Sequence, residues 1–420
     1  MSVQTLGFLT RNIPMARKLR ARYGDMFTVR ALGFPPFVIL GDPRLIEQVF
    51  KEDPTVLHAG TESPLAAVLG NNSLLAIDEE RHLSQRRLLL PPFHGERMKS
   101  YAGVVREIAE AEFDTWPVNE EFQSLPSMMR ITLRTILRTI YGARGASLQR
   151  LEDLIPRTVE IGAKMVFFRF AQRDLGPRSP WGKFLRLRAQ CDDEMDKLIA
   201  EARQDPDLAE RSDVLAMLVQ ARHEDGSPMT DEEIRDQLLT LMIAGHETTS
   251  NTLGWIVERL RRNPEVLAKL TESVRAGDVD YLNATVSETL RIRPTVNFAV
   301  RACMQPYELN GYVLPAGTRI ACNPALTHDD PRLFDEPRRY RPERFLEQKP
   351  SSYVYIPFGG GIRRCIGASF ALMEAAEVMK AMLERFDIAP TEAPPEGWTM
   401  RGPTFAPSEG AMLKLRPRSG

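Results

Sequence analysis

Cys365 is the residue of this 420-residue chain whose surroundings promise the most specific chemistry. It lies in Phe358-Gly359-Gly360-Gly361-Ile362-Arg363-Arg364-Cys365-Ile366-Gly367. Before it, Tyr353–Pro357 reads as a short extended run. After it, Ala368–Phe386 carries apolar residues at helical spacing. A cysteine in a glycine-rich loop at the mouth of a helix meets peptide N–H groups and the positive end of the helix dipole, and both favour a thiolate. The three glycines let the backbone bend tightly and leave room for something large and flat. Arg363, two residues before the cysteine, is placed to pair with an anion on that object. A cysteine with no such context is usually just a small buried hydrophobe. A dinucleotide fingerprint fails because its third glycine would fall on Arg364, and a phosphate-cradling loop fails for want of Gly-Lys-Ser/Thr. Zinc wants several Cys or His ligands close in sequence. What remains is a solitary axial thiolate to a haem iron.

A second stretch, Ala244-Gly245-His246-Glu247-Thr248-Thr249, falls inside a long helical pattern. A central glycine costs a helix about 1 kcal/mol relative to alanine, and each buried polar group left unpaired costs roughly 1–3 kcal/mol more. A catalytic role is a good reason to keep so expensive a cluster. A zinc-protease reading fails, because the second histidine it needs falls on Ser250. Two further pairs share a helix face: His82 with Arg86, and Glu288 with Arg291. On their own such pairs are usually solvated and worth little.

The pattern Phe-Gly-x-Gly-x-Arg-x-Cys-x-Gly, filled in full by Phe358–Gly367, resembles the haem-binding loop of the cytochrome P450 superfamily. The resemblance extends over most of the chain in the right order. It implies haem b, an iron protoporphyrin IX, with Cys365 as the iron ligand and Phe358, Gly359, Arg363 and Gly367 around it. His82, Arg86 and Arg301 carry over as partners of the propionates. Ala244-Gly245-x-Glu247-Thr248-Thr249 is similar to the oxygen-binding helix, where small Ala244 and Gly245 leave space for dioxygen. There Thr248 hydrogen-bonds the oxygen and Glu247 relays protons, through water because neighbours on a helix point apart. His246 falls at a variable position and receives no role. Glu288, Arg291 and Arg344 look like the family's structural charge triad, and Val296 and Phe298 like pocket lining. The implied activity is a haem-thiolate monooxygenase that inserts one atom of O2 into a hydrophobic organic molecule. A ferredoxin with its reductase, or a flavodoxin-type donor, would supply electrons, and Arg81, Arg87, Arg97, Lys99 and Arg364 form a candidate docking patch. A peroxide-using haem-thiolate enzyme and a non-catalytic haem protein are the rivals; neither needs the Glu247–Thr248 pair. Pro91-Pro92-Phe93-His94 and Leu125–Ala143 resemble a mycobacterial-type branch.

The elements that must position these residues are mostly helical. Thr230-Asp231-Glu232-Glu233 fits a capping box, and Asn263-Pro264 stops the pattern beyond Arg262. Such a helix is roughly 50 Å long. Helices are also expected from Asp42-Pro43 to Phe50, over Glu79–Leu90, Leu125–Tyr141 and Tyr281–Ile292. Strands are expected at Met26–Leu32 and Phe37–Leu40, joined by Gly33-Phe34-Pro35-Pro36. Others are expected at Thr295–Val300, Tyr307–Leu309, Tyr312–Leu314 and Arg319–Cys322. Leu57–Asn72 reads as a connection, and Met165, Val166, Phe167, Phe168 and Phe170 mark a break that in the family forms a lid. The expected fold is mainly α with a small β region. It is a triangular helical prism with haem between the long central helix and the Cys-bearing loop, one domain over 1–420.

Hydrophobic residues make up 43% of the chain, enough for a substantial core, and the net charge of −1 gives no reason to propose nucleic acid as a partner. Four widely spaced cysteines suit a reduced cytosol. Arg11, Arg17, Lys18, Arg20 and Arg22 interrupt the N-terminal apolar residues, so neither a membrane anchor nor a signal peptide is expected. The expected location is cytoplasmic, as a soluble protein.

Overall fold

The long helix forms as its caps require. Thr230 Oγ1 accepts the Glu233 N–H at 3.2 Å, and the Glu233 carboxylate accepts the Thr230 N–H at 2.9 Å. From there the helix runs for 31 residues, Asp231–Arg261, a length of about 46 Å. The structure is a computed structural model and describes residues 12–30, 36–60, 65–95, 97–165, 172–173 and 175–418.

In chain order the elements are α1 (Asn12–Tyr23), β1 (Met26–Val29), β2 (Phe37–Leu40), α2 (Pro43–Lys51), β3 (Leu57–His58), α3 (Glu79–Leu89), α4 (Arg97–Phe113), β4 (Glu121–Gln123) and α5 (Leu125–Thr139). Then come α6 (Gly145–Met165), α7 (Pro180–Gln204), α8 (Val214–Gln220), the long helix as α9, α10 (Pro264–Arg275) and α11 (Asp280–Ile292). The last third holds β5 (Ala299–Cys303), β6 (Tyr307–Leu309), β7 (Tyr312–Leu314), β8 (Arg319–Cys322), α12 (Pro324–His328) and α13 (Ala368–Arg385). It ends with β9 (Phe386–Ile388), β10 (Trp398–Arg401), β11 (Thr404–Pro407) and β12 (Met412–Pro417).

The larger sheet has the order β1-β2-β8-β5-β3, antiparallel except where β2 runs parallel to β8. Its register sets Arg301 opposite Ile320. The β6–β7 hairpin turns on Asn310 and Gly311, both at positive φ (52° and 76°), as a two-residue hairpin requires.

Two apolar clusters meet along α9. Ile234, Leu238, Leu239, Leu241 and Met242 enter one, with Leu133, Ile136 and Leu137 of α5. Leu253, Ile256, Val257 and Leu260 enter the other, with Val378, Met379 and Met382 of α13. Burying each such side chain contributes roughly 1.5–3 kcal/mol. Between them, from Ala244 to Thr252, α9 gives no buried apolar side chain to either cluster. In that stretch Ala244 and Thr248 keep accessible surface, whereas His246, Glu247, Thr249, Ser250 and Asn251 are buried polar side chains.

Three expectations change. Tyr353–Pro357 is not extended: the N–H groups of Val354 and Tyr355 turn back to the Ser351 carbonyl at 3.0 and 2.9 Å. The strand expected over Thr295–Val300 lies at Ala299–Cys303 and so contains Arg301. Helix α6 continues through Met165 despite an internal Pro156, while the expected break at Val166–Phe170, like Ala31–Pro35 before β2, lies outside the described residues.

Candidate active site

The loop around Cys365 is closed by its own backbone. The Cys365 N–H donates to the Phe358 carbonyl at 2.9 Å, and the Gly359 N–H to that of Ile356 at 3.1 Å. Gly359 and Gly361 both take φ of 65°, a left-handed conformation that favours glycine. A Cβ on Gly360 would run into the Phe50 ring, and one on Gly361 into the Phe50 carbonyl oxygen. The room these two glycines make is therefore filled by α2, not by a flat ligand; Gly359 meets only Ala299 Cβ, at 3.9 Å.

Cys365 has an exposed side chain, yet it lies deep enough among protein atoms that burial pushes its thiol up. The Gly367 N–H and the charges of Arg364 and Arg86 pull the other way. Burial thus works against a thiolate and the loop's N–H and arginines for it; a coordinated metal would remove the proton outright. Accessible surface at such depth means that Cys365 borders an internal opening.

Around this opening, among the described residues, cations outnumber anions. His82 is 1% exposed and its Nδ1 has no hydrogen-bond partner. Burial, then the charges of Arg363 and Arg86, lower its pKa to about 3, so it is neutral. Arg363 donates to the carbonyls of Leu74 and Ile77, at 3.1 and 2.6 Å, and to Asp78. Burial still pulls its pKa down to about 10, with Arg301 and Arg86 adding repulsion against the attraction of Asp78. Arg301 reaches the Val300 and Gly360 carbonyls at 2.9 and 3.4 Å and stands over the Phe50 ring. Among the described residues Arg86 pairs with no carboxylate. Three arginines and an unpartnered histidine around one aspartate fit a dianionic group such as the two propionates of a haem. The residues present therefore fit the cofactor. Arg363 departs from expectation in that Asp78 already occupies it.

On α9, Ala244 is exposed and Thr248 half-buried, while His246 and Glu247 beside them are buried. Ala244 and Thr248 are one turn apart and share a face. The Thr248 hydroxyl donates to the Ala244 carbonyl at 2.6 Å. Glu247 accepts from Arg401 Nε at 3.3 Å; burial raises its pKa, with Arg401 opposing. Gly245 also has a packing role. An added Cβ would stand 3.0 Å from Ile136 Cδ1, so its smallness lets α5 pack closely, while the neighbouring Ala244 is exposed. His246 also faces α5: its Nδ1 is 3.0 Å from the Thr132 hydroxyl, and burial lowers its pKa to about 4.

Glu288, Arg291 and Arg344 come together. Arg291 grips Glu288 with two bonds, at 2.7 and 2.9 Å, and Arg344 Nε adds a third at 3.2 Å. The Arg341 backbone N–H supplies a fourth at 2.9 Å. Phe298 packs on the sheet-side cluster of Phe27, Val29 and Phe37, and Val296 is half-buried. A cleft of about 530 Å3 between α6 and α7, lined by Arg150, Asp153, Glu194 and Lys197, shares no residue with this site.

A sequence model of the cytochrome P450 family matches residues 3–409. The chain belongs to the cytochrome P450 family. It is 42% identical over 416 residues to "Putative cytochrome P450 138" of Mycobacterium tuberculosis, covering 99% of this chain and 94% of that one. It is 39% identical over 423 residues to "Putative cytochrome P450 135B1" of Mycobacterium bovis, covering 99% and 89%. Among solved structures, the retinoic-acid-bound cyanobacterial CYP120A1 superposes with a TM-score of 0.85 at 25% identity, over 99% of this chain and 96% of that one. The cytochrome P450DA haem domain gives 0.86 at 24%, over 99% and 95%. The fold is thus the P450 fold, mainly α with a small β region, and the mycobacterial likeness agrees with the branch expected.

Sequence reasoning missed three residues of this P450. Asp78, which binds Arg363 and takes the Ala59 and Gly60 N–H groups at 2.8 and 3.1 Å, precedes His82 by four residues, and that spacing was its only signal. Arg401, the partner of Glu247, lies 154 residues away, and no pattern connects them. Glu374 is a carboxyl in an otherwise apolar face of α13, 0% exposed. Burial raises its pKa to about 8, the nearby hydroxyls of Thr135 and Thr249 opposing, though neither carboxyl oxygen has an aligned hydrogen bond.

Proposed function

We propose that this P450 is a haem-thiolate monooxygenase acting on a hydrophobic small organic substrate such as a lipid, steroid, terpenoid or aromatic metabolite. The observation that carries it is Cys365, accessible yet deep, beside a set of cations with too few anions. Haem b would supply the activation of O2, held by Cys365 at the iron and by His82, Arg86, Arg301 and Arg363 at the propionates, with Phe358, Gly359 and Gly367 shaping the loop.

The residues of α9 would manage space and protons. Ala244 keeps side-chain volume low on the open face. Thr248 gives its proton to the Ala244 carbonyl, so it offers that face an acceptor oxygen that can hold a proton-bearing group in place. Glu247, with its raised pKa, carries a proton nearer neutral pH than a free glutamate does. Its partner Arg401 is 40% exposed and so connects the buried acid to solvent. This acid–threonine pair favours a dioxygen-using enzyme over a peroxide-using one or a ligand carrier. A structural neighbour that holds retinoic acid supports an apolar substrate.

Electrons would come from a separate ferredoxin and its reductase, or from a flavodoxin-type donor. Of the candidate docking cations, Arg87 already pairs with Glu80 and Glu224, and Arg81 with Asn72, whereas Arg364 is exposed. A cytoplasmic location suits four free cysteines. Among the described residues no helix is long and apolar enough to cross a membrane. Glu288, Arg291 and Arg344 act as a structural triad, and the chain works as one domain.

A titration of the ferric protein with a panel of such compounds, followed at the Soret band, tests the substrate class. A blue shift with one class supports the proposal; shifts only with polar compounds would overturn the hydrophobic-substrate reading.

A further inference from the structure

His328, at the end of α12, lies outside every motif discussed above, and all its polar groups beyond its amide are engaged. It is 1% exposed. Its Nδ1 lies 3.1 Å from the Arg291 carbonyl, its Nε2 accepts the Ile356 N–H at 3.0 Å, and its own carbonyl accepts from the Arg291 guanidinium at 2.8 Å. A carbonyl only accepts and an amide N–H only donates, so the ring is neutral with its hydrogen on Nδ1. Tyr355 stacks on it at 5.5 Å and Phe334 meets it edge-on at 6.1 Å. The charged and titratable groups facing it are Arg291 from α11, with Glu288 behind, and Tyr355 from the opposite segment. Burial and the charge of Arg291 hold the imidazole pKa down at about 3.

These contacts form a continuous path. Glu288 binds Arg291, Arg291 binds His328 twice, and His328 binds the Ile356 amide. The carbonyl of the same residue, Ile356, accepts the Gly359 N–H at 3.1 Å, and that of Phe358, two residues on, accepts the N–H of Cys365. We propose that His328 is a positioning residue that joins the Glu288–Arg291–Arg344 triad to the Cys365 loop, and that its protonation is the acid-sensitive step in losing thiolate ligation. The inference rests on Cys365 being the iron ligand.

The chemistry follows from the bond pattern. A protonated imidazole has two donors and no acceptor, so it must release the Ile356 N–H. The histidine is held neutral well below its ordinary range. Its contribution is therefore complete above about pH 6.5 and is lost as pH falls toward about 3.

The test uses full-length haem-loaded protein with and without His328→Leu and His328→Gln, reduced under carbon monoxide and scanned across pH. Glutamine can accept from Ile356 and donate to Arg291, but it takes up no proton. At neutral pH the leucine variant should lose most of its red-shifted, thiolate-type Soret band to the unshifted form, and the glutamine variant should keep it. In acid the glutamine variant should hold that band to about one pH unit lower than wild type. A leucine variant with a wild-type band, or a glutamine variant whose acid loss coincides with wild type, would overturn the proposal. If the leucine variant does not fold, the glutamine comparison decides alone. A wild-type protein with no red-shifted band would instead refute Cys365 as ligand, a failure distinct from insensitivity to residue 328.

Discussion

Thr248 and Glu247 are adjacent in sequence but do different work, because a helix turns them to different surroundings. Thr248 bonds its own helix and faces the open side, whereas Glu247 is buried against Arg401. Replacing Thr248 with alanine should leave the haem-thiolate spectrum intact and lower product formed per O2 consumed by about tenfold or more. The measure is the ratio of product to peroxide once a substrate is found, and unchanged coupling would contradict the assignment. Glu374 gives a second test. Its folded pKa, raised to about 8 from an ordinary 4.5, means that it is folded as the neutral acid. The stability this confers is complete below about pH 4.5 and is lost as pH rises through 8, by at most about 5 kcal/mol. Glu374→Gln should therefore flatten the fall in Tm across that window; the same alkaline fall in both proteins would exclude Glu374 as its cause.

At the scale of elements, much was legible because helix caps and tight turns are local. Thr230 and Glu233 close the reciprocal box their spacing implied, and Asn310-Gly311 makes the hairpin its composition demanded. Thr230→Ala should cost about 1 kcal/mol in chemical denaturation, the usual worth of such a cap; no change would mean that packing alone fixes the start of α9. The triad was legible only through the family resemblance, because a shared helix face alone marks Glu288 and Arg291 as an ordinary pair. Breaking it with Arg291→Leu should cost roughly 3–5 kcal/mol, since the buried Glu288 would lose two of its four hydrogen bonds and its nearer guanidinium. What could not be read was reach between distant segments. Phe50 filling the space at Gly360 and Gly361, Ile136 opposite Gly245, and Arg401 against Glu247 are contacts that no periodicity reports. The packing of Ile136 against Gly245 is likewise a role that no spacing announces.

Across the whole molecule, two apolar clusters grip the two ends of α9, whose middle is polar, while the helix that follows Cys365 packs into both. Near Cys365 the guanidinium groups of Arg86, Arg301 and Arg363, beside a neutral His82, have Asp78 as their one carboxylate neighbour among the described residues, a set that a bound anion would stabilise. Haem binding should accordingly stabilise the fold, with apoprotein melting several degrees below holoprotein.

The most direct test of the central claim is the Soret spectrum of the reduced protein under carbon monoxide, recorded for wild type and Cys365→Ala. A thiolate-ligated iron predicts a strongly red-shifted band in wild type that is absent from the alanine variant. A wild-type band at the unshifted position, or a red-shifted band that survives the loss of Cys365, would contradict the account.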